Sequence, residues 1–241
     1  MGSLGRRHLQ PELMDQPGLD GVAHRQALVG LSRINYLSAS ASSFFRPLVN
    51  LQRQLGLDRL RILDVASGGG DVPLRLWHRA DRLGLDWRIA GCDVSPTAVE
   101  YAQRQAFQAD APLRFFVHDV LNGPALPGDY DAVICSLFLH HLEDHQAVAL
   151  LRALTGQGTR QPRLVLVNDL NRCRTGLILA YLVTQVLTRS TIVHADGPAS
   201  VRAAFTPQEA LQLAREAGLT EATIRRCWPW RWLLEWRRPC P

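Results

Sequence analysis

The sequence predicts an α/β chain in which helices cover both faces of a mostly parallel sheet. Three observations carry this. Short runs such as Arg61–Ala66, Trp87–Cys92 and Arg163–Asn168 are apolar at most positions rather than alternating, as strands buried on both faces are. Helical patterns separate them, which indicates parallel crossover connections. And 241 residues, 46% hydrophobic and 20% charged, suffice for one large core without a disulfide or metal staple. No repeat of 20–50 residues sets up a solenoid or propeller.

The elements follow in order. Residues 1–20 hold several Gly and Pro and little periodicity, and read as a mobile lead-in. Val22, Leu28, Val29, Leu31, Ile34 and Leu37 suit one or two amphipathic helices up to about Phe45, and another helix is expected over Pro47–Leu55. After the first strand, Ser67-Gly68-Gly69-Gly70 forms a tight turn. Asp71 and Pro73 then open a helix to Leu83. Ser95 is an N-cap with Pro96 at the first helical position, and that helix runs to about Phe107. Leu113–His118 and Tyr130–Ser136 are the third and fourth strands, and Glu143–Leu154 is the helix before the fifth. Leu177–Leu187 is a helix with little polar face. Thr206-Pro207-Gln208-Glu209 is a capping box, and Gly218 ends its helix. Strands at Leu219–Arg226 and Trp230–Trp236 finish the chain.

Composition excludes several chemistries. All 27 basic residues are Arg, so neither a Schiff-base lysine nor a phosphate-loop lysine is available. The net charge of +5 favours anionic partners without identifying one. Five scattered cysteines form no CxxC pair, so no metal site is expected; Cys92 and Cys135 lie in apolar runs as small hydrophobes. No apolar stretch reaches the roughly 20 residues of a membrane span, and no signal-peptide core follows Arg6-Arg7-His8; a cytoplasmic protein is expected.

A strand, a glycine turn and a helix N-terminus together form a ligand site, because glycines admit close approach and the free N–H groups attract polar ligands. A dinucleotide fingerprint is disfavoured: Pro73 replaces its third glycine, and Asp71 would oppose a pyrophosphate. Ile62-Leu63-Asp64-Val65-Ala66-Ser67-Gly68-Gly69-Gly70 instead resembles the first motif of the class I S-adenosylmethionine-dependent methyltransferases, with Ala66 where the first glycine commonly stands. Three further segments fit that family in order: Gly91-Cys92-Asp93-Val94-Ser95, Phe116-Val117-His118-Asp119-Val120, and Tyr130 to Phe138.

The resemblance implies a seven-stranded Rossmann-like sheet ending in two antiparallel strands. Residues 56–241 would form the S-adenosylmethionine-binding domain, with a helical insertion at about 171–205 and residues 1–55 as an N-terminal helical cap or lid. It places Asp64, Ala66, Ser67, Gly68 and Gly70 at the methionine part, Asp93 and Val94 at the ribose, Asp119 and Val120 at the adenine, and Ser136 at the pocket floor.

The acceptor is expected to be a small, partly apolar molecule, because the two insertions are largely apolar and helical. The layout resembles methyltransferases of quinone and polyketide pathways. Candidates for a base that takes the acceptor's proton are His140, His141, His194 and Asp169; Arg172 and Arg174 are candidates for pairing with an acceptor carboxylate. Two other readings stand beside this one. A nucleic-acid methyltransferase would use the basic, Trp-rich tail (Arg225 to Arg238), although Ser136-Leu137-Phe138-Leu139 stands where adenine-amino enzymes carry Asn/Asp-Pro-Pro-aromatic. A non-catalytic cofactor-binding protein is the other.

Overall fold

The computed structural model describes residues 4–10, 13, 40–156, 161–187 and 191–239. The helices expected between Val22 and Leu37 lie outside them. In chain order the elements are α1 (Ser40–Gln54), β1 (Arg59–Val65), α2 (Asp71–Asp81), β2 (Asp86–Asp93), α3 (Pro96–Gln108), β3 (Arg114–Val117) and β4 (Ala132–Ser136). A single 3-10 turn (Leu139–His141) precedes α4 (Asp144–Leu154). Then come β5 (Leu164–Leu170), α5 (Arg174–Leu187), α6 (Thr191–Ala203), α7 (Pro207–Glu216), β6 (Thr223–Cys227) and β7 (Arg231–Arg237).

The sheet has seven strands in the order β3-β2-β1-β4-β5-β7-β6. β1 to β5 are mutually parallel where they touch, and β7 runs antiparallel to both β5 and β6. The expected Rossmann-like layout, with its antiparallel ending, is what is found. Register aligns the carboxyl ends on one rim: Val65 pairs with Cys92 and Cys135, and Ser136 with Asn168. Ligands of open parallel sheets bind outside that rim, where the strand order reverses between β1 and β4.

Each sheet face has its own core. Ile62, Ile134, Leu166 and Leu233 pack against Phe44 and Leu48 of α1 and Leu76 of α2. On the other face Leu63, Val133, Val167 and Trp232 pack against Leu150 and Leu151 of α4 and Leu213 of α7. Alternate residues of one strand therefore feed opposite cores, which is why the runs read as continuously apolar. Ser95 caps α3 by accepting from the Ala98 N–H at 3.3 Å, and Thr206 with Glu209 forms the expected capping box on α7.

One boundary differs from expectation. α1 begins at Ser40 and passes straight through Pro47. Proline removes the N–H that would bond the Ser43 carbonyl one turn earlier. Arg225 supplies that donor from β6, 3.2 Å away, so a tertiary contact satisfies the carbonyl that the sequence pattern leaves open.

Candidate active site

The glycine turn leaves β1 at the rim. Ser67 N–H donates to the Cys92 carbonyl and Gly70 N–H to the Ser67 carbonyl, which folds the turn back over β2. Ala66, at the position where the first glycine commonly stands, adopts φ 55°, a left-handed backbone that costs an alanine of order 1 kcal/mol. Gly70 also has positive φ, and a Cβ there would lie 2.8 Å from Ala102 and from the Phe115 ring. At Gly91 on β2 a Cβ would lie 2.6 Å from Phe115 and 2.8 Å from Ser67 Oγ. These two glycines let β2, β3 and α3 close around the turn. Gly68 differs: it has φ +51°, and a Cβ there would meet nothing within 4 Å. That side of the turn is open.

Asp64 is fully buried beneath the turn. Burial, with Asp71 and Asp93 adding their negative charge, pushes its carboxyl well above the ordinary range. Its Oδ1 is buried without a hydrogen-bond partner, as are Ser67 Oγ and, at the end of β4, Ser136 Oγ. Buried polar atoms are ordinarily paired, so this cluster fits a cationic, hydrogen-bonding ligand such as a methionine ammonium group.

Asp93 ends β2 with both oxygens engaged: Oδ2 accepts from Gly68 N–H at 2.8 Å and Oδ1 from Ser95 N–H at 2.9 Å. Carboxylate oxygens accept more than one bond each, so these contacts orient the group toward the turn without excluding ribose hydroxyls. Val94 beside it is exposed. Asp119 organises its own loop: Oδ1 accepts from the N–H groups of Leu121 and Asn122, and Oδ2 from the Asn122 amide. Those bonds, the Asn122 side chain foremost, hold its carboxyl below the ordinary range. Val120 packs against the core.

Beyond β4 and β5 lies a second group of candidates. His140 is buried, and its Nδ1 stands 2.6 Å from Asp169 Oδ1, while its backbone N–H donates to Asp169 Oδ2. Burial alone would raise the Asp169 carboxyl; the charge of His140 and its hydrogen bond overcome this and hold it below the ordinary range. The half-buried His141 ring lies 4.3 Å from that of His140. His194 sits inside α6, the helix that packs against the 3-10 turn.

The two arginines part company. Arg172 is buried and forked onto Glu209 at 2.6 and 2.9 Å, and it also donates to the Ala204 and Leu4 carbonyls. Its guanidinium joins β5 to the cap of α7, which corrects the expectation that it meets an acceptor. Arg174 is exposed at the start of α5. A third arginine, read in the sequence as part of the basic tail, is buried here: Arg231 on β7, its pKa lowered to about 10 by burial, with Asp169 and Asp71 pulling the other way.

The reading of the N-terminus as a mobile lead-in is also corrected for residues 4–10. Arg7 lies 3.5 Å above the Phe205 ring, donates to the Ala203, His140 and Leu142 carbonyls, and pairs with Asp144 at 2.7 Å. The chain thus straps over the turn that carries both histidines. Arg7→Ala should cost roughly 2–3 kcal/mol of stability. Hydrogen exchange at residues 139–142 should speed up before exchange in β4 does; unchanged protection there would remove Arg7 as the clasp.

Among the described residues there is no cluster of metal-binding side chains, and no helix is long and apolar enough to cross a membrane.

A methyltransferase-domain family model matches residues 62–156, the stretch from β1 through the histidine turn and α4. A demethylmenaquinone methyltransferase of Deinococcus radiodurans is 34% identical over 109 residues, taking in 44% of this chain and 42% of that protein. A second, from Thermus thermophilus, is matched over 37% of its length, so the chain spans about two fifths of these relatives. A ubiquinone biosynthesis O-methyltransferase of Xanthomonas oryzae is 28% identical, over 74% of this chain and 71% of the relative. Among solved structures, an O-methyltransferase from neocarzinostatin biosynthesis, in complex with S-adenosylmethionine and a hydroxynaphthoic acid, superposes with TM-score 0.65 at 18% identity, covering 92% of this chain and 59% of that one. A magnesium protoporphyrin IX methyltransferase of Synechocystis gives TM-score 0.57 at 20% identity, covering 94% and 91%. At such identities these two structures establish the fold.

Proposed function

From the premise that this chain carries a methyltransferase domain on the class I, Rossmann-like fold, we propose that it transfers a methyl group from S-adenosylmethionine to a small, partly apolar acceptor of phenol, quinone or polyketide type. One observation carries the reading. The open glycine turn, with the buried and unpartnered oxygens Asp64 Oδ1 and Ser67 Oγ, shares a rim with the paired His140 and Asp169. This supports a reading in which a cofactor cradle and a proton acceptor share one rim. The related quinone methyltransferases support the acceptor class.

S-adenosylmethionine, when bound, supplies an electrophilic methyl on a sulfonium, a leaving group that needs no further activation. The protein's part is to hold the acceptor in line and exclude water. Asp64 and Ser67 would receive the methionine end, Asp93 the ribose and the Asp119–Val120 loop the adenine. Gly68 and Gly70 shape the passage, Ala66 bends it, and Ser136 lies at its floor. Of residues 1–55, expected as a cap or lid, α1 belongs to the sheet's core through Phe44 and Leu48, so a lid would come from the segment before it.

His140 is assigned as general base and Asp169 as the group that orients it. With Asp169 accepting from Nδ1–H, Nε2 is the basic nitrogen of the ring. His141 and His194 would line the acceptor pocket, and Arg174 is the arginine left to meet an acceptor carboxylate.

His140→Ala should retain S-adenosylhomocysteine binding and lower kcat by about 10²-fold or more, the low end for general-base catalysis. His141→Ala should act chiefly on KM. The acid limb of the rate profile should move to lower pH in Asp169→Asn, because removing a neighbouring negative charge makes the imidazolium easier to deprotonate. Steady-state kinetics with a catechol or hydroquinone acceptor make the test. Normal kcat in His140→Ala would transfer the role to another candidate. Failure to bind S-adenosylhomocysteine would overturn the reading as a whole.

A further inference from the structure

The Trp-rich C-terminal hairpin and the outer face of α5 play no part in this chemistry, yet they form one surface. Ile178, Tyr181, Leu182 and Val186 recur at helical spacing and face outward; Leu182 is 61% and Val186 81% exposed, while Leu177 and Thr184 on the opposite side are buried. The first turn of α5 abuts the hairpin: a Cβ on Gly176 would lie 3.3 Å from Trp230 Cβ, and Asn171 N–H donates to the Trp230 carbonyl. Trp230 in turn packs on Trp228, which is 70% exposed. Isolated exposed apolar side chains are ordinary; a continuous set of this size marks an interaction surface.

Charge selects the occupant. Residues 170–195 contain Arg172, Arg174 and Arg189 and no Asp or Glu. Residues 222–234 contain Arg225, Arg226 and Arg231, again with no acid. Of these, Arg225 and Arg226 are exposed on the hairpin, whereas Arg172 and Arg231 are buried. Arg202 adds to the set from α6, donating to the Tyr181 hydroxyl at 2.9 Å. A helix face of aliphatic residues, an amphipathic Trp and Tyr, and exposed arginines from a stretch that holds no acid is the chemistry of the lipid–water interface. A protein partner would be expected to meet a rim of mixed charge. A single-stranded nucleic acid would want stacked aromatics along a basic groove rather than an exposed aliphatic stripe.

We infer that the outer face of α5 and the Trp228 hairpin form a docking surface for an anionic lipid bilayer. The chain lies on the membrane through this patch, and α5, which leaves β5 directly, brings the rim of the sheet close to the lipid.

The test uses the full chain and two kinds of vesicle, phosphatidylcholine alone and three parts phosphatidylcholine to one part phosphatidylglycerol. Co-sedimentation should be strong with the second, weak with the first, and reduced by salt. Leu182→Asp with Val186→Asp should lower the partition coefficient at least tenfold. Arg226→Gln should lower it about fivefold on the anionic vesicles only. Both sites are exposed, so the melting temperature should hold, and adsorption is read without reference to methyl transfer. Equal binding by wild type and the double variant would overturn the inference. So would a chain that ignores both vesicles, whether it then retains a single-stranded RNA oligonucleotide or forms a dimer that the double variant dissolves.

Discussion

Replacing Asp169 by alanine is expected to destabilise the fold by about 3–5 kcal/mol, the range for breaking a buried charge pair from one side. The carboxylate is 1% exposed and serves three donors: His140 Nδ1 at 2.6 Å, the His140 backbone N–H at 3.1 Å and the Leu170 N–H at 2.6 Å. Alanine leaves all of them without an acceptor in a site water does not reach. For a chain of this size each kcal/mol moves Tm by about 2–4 °C, so a fall of roughly 6–20 °C should be seen at neutral pH. The sign of the pH dependence follows from the shift. The Asp169 carboxyl is held below its ordinary value in the folded chain. Its contribution is therefore complete above the unfolded-state pKa and is lost as pH falls through the lower folded value. Melting curves of wild type and variant should thus converge in acid and separate toward neutrality. Equal melting at neutral pH would show that the pair does not hold the rim together.

The parallel sheet was legible because burial on both faces writes itself as unbroken apolar runs, and the caps at Ser95 and Thr206 because their partners lie three residues away. What was not legible depends on partners far along the chain. Nothing near Pro47 announces that Arg225, 178 positions later, will take up the carbonyl proline leaves unbonded. Arg172 occupies the place of an acceptor-binding residue, but Glu209 and the Ala204 carbonyl claim its guanidinium. Arg7 sits in a segment without periodicity, and its bonds reach across 133 to 196 residues. At the site, the motif positions of Asp64, Asp93 and His140 could be read, but not the pairing of His140 with Asp169, since both stand at strand ends whose adjacency depends on sheet order. Gly91 carried a signal that went unused: a glycine within an apolar strand marks close approach, here of Phe115 and Ser67.

Gly68→Val is expected to abolish detectable S-adenosylhomocysteine binding while leaving the chain folded. Two physical effects act together. The backbone at Gly68 has φ +51°, which a β-branched residue adopts at a cost of roughly 1–2 kcal/mol or more. A Cβ there meets no protein atom within 4 Å, so the valine side chain starts into open space in the free protein. Its two methyl groups project instead into the open side of the turn, the space assigned to the ligand. Gly68→Ala separates the effects: it carries most of the backbone strain and little of the bulk, and should weaken binding moderately. Gly70 is the contrast, because a Cβ at that position strikes Ala102 and Phe115 at 2.8 Å, and Gly70→Ala should damage the fold before it affects any ligand. Calorimetric titration of the three variants, each with its melting temperature, distinguishes occlusion from unfolding. If Gly68→Val melts near the wild-type temperature and still binds S-adenosylhomocysteine at wild-type affinity, the ligand does not pass over this turn, and the assignment of Asp64, Ser67 and Gly70 to its cradle falls with it.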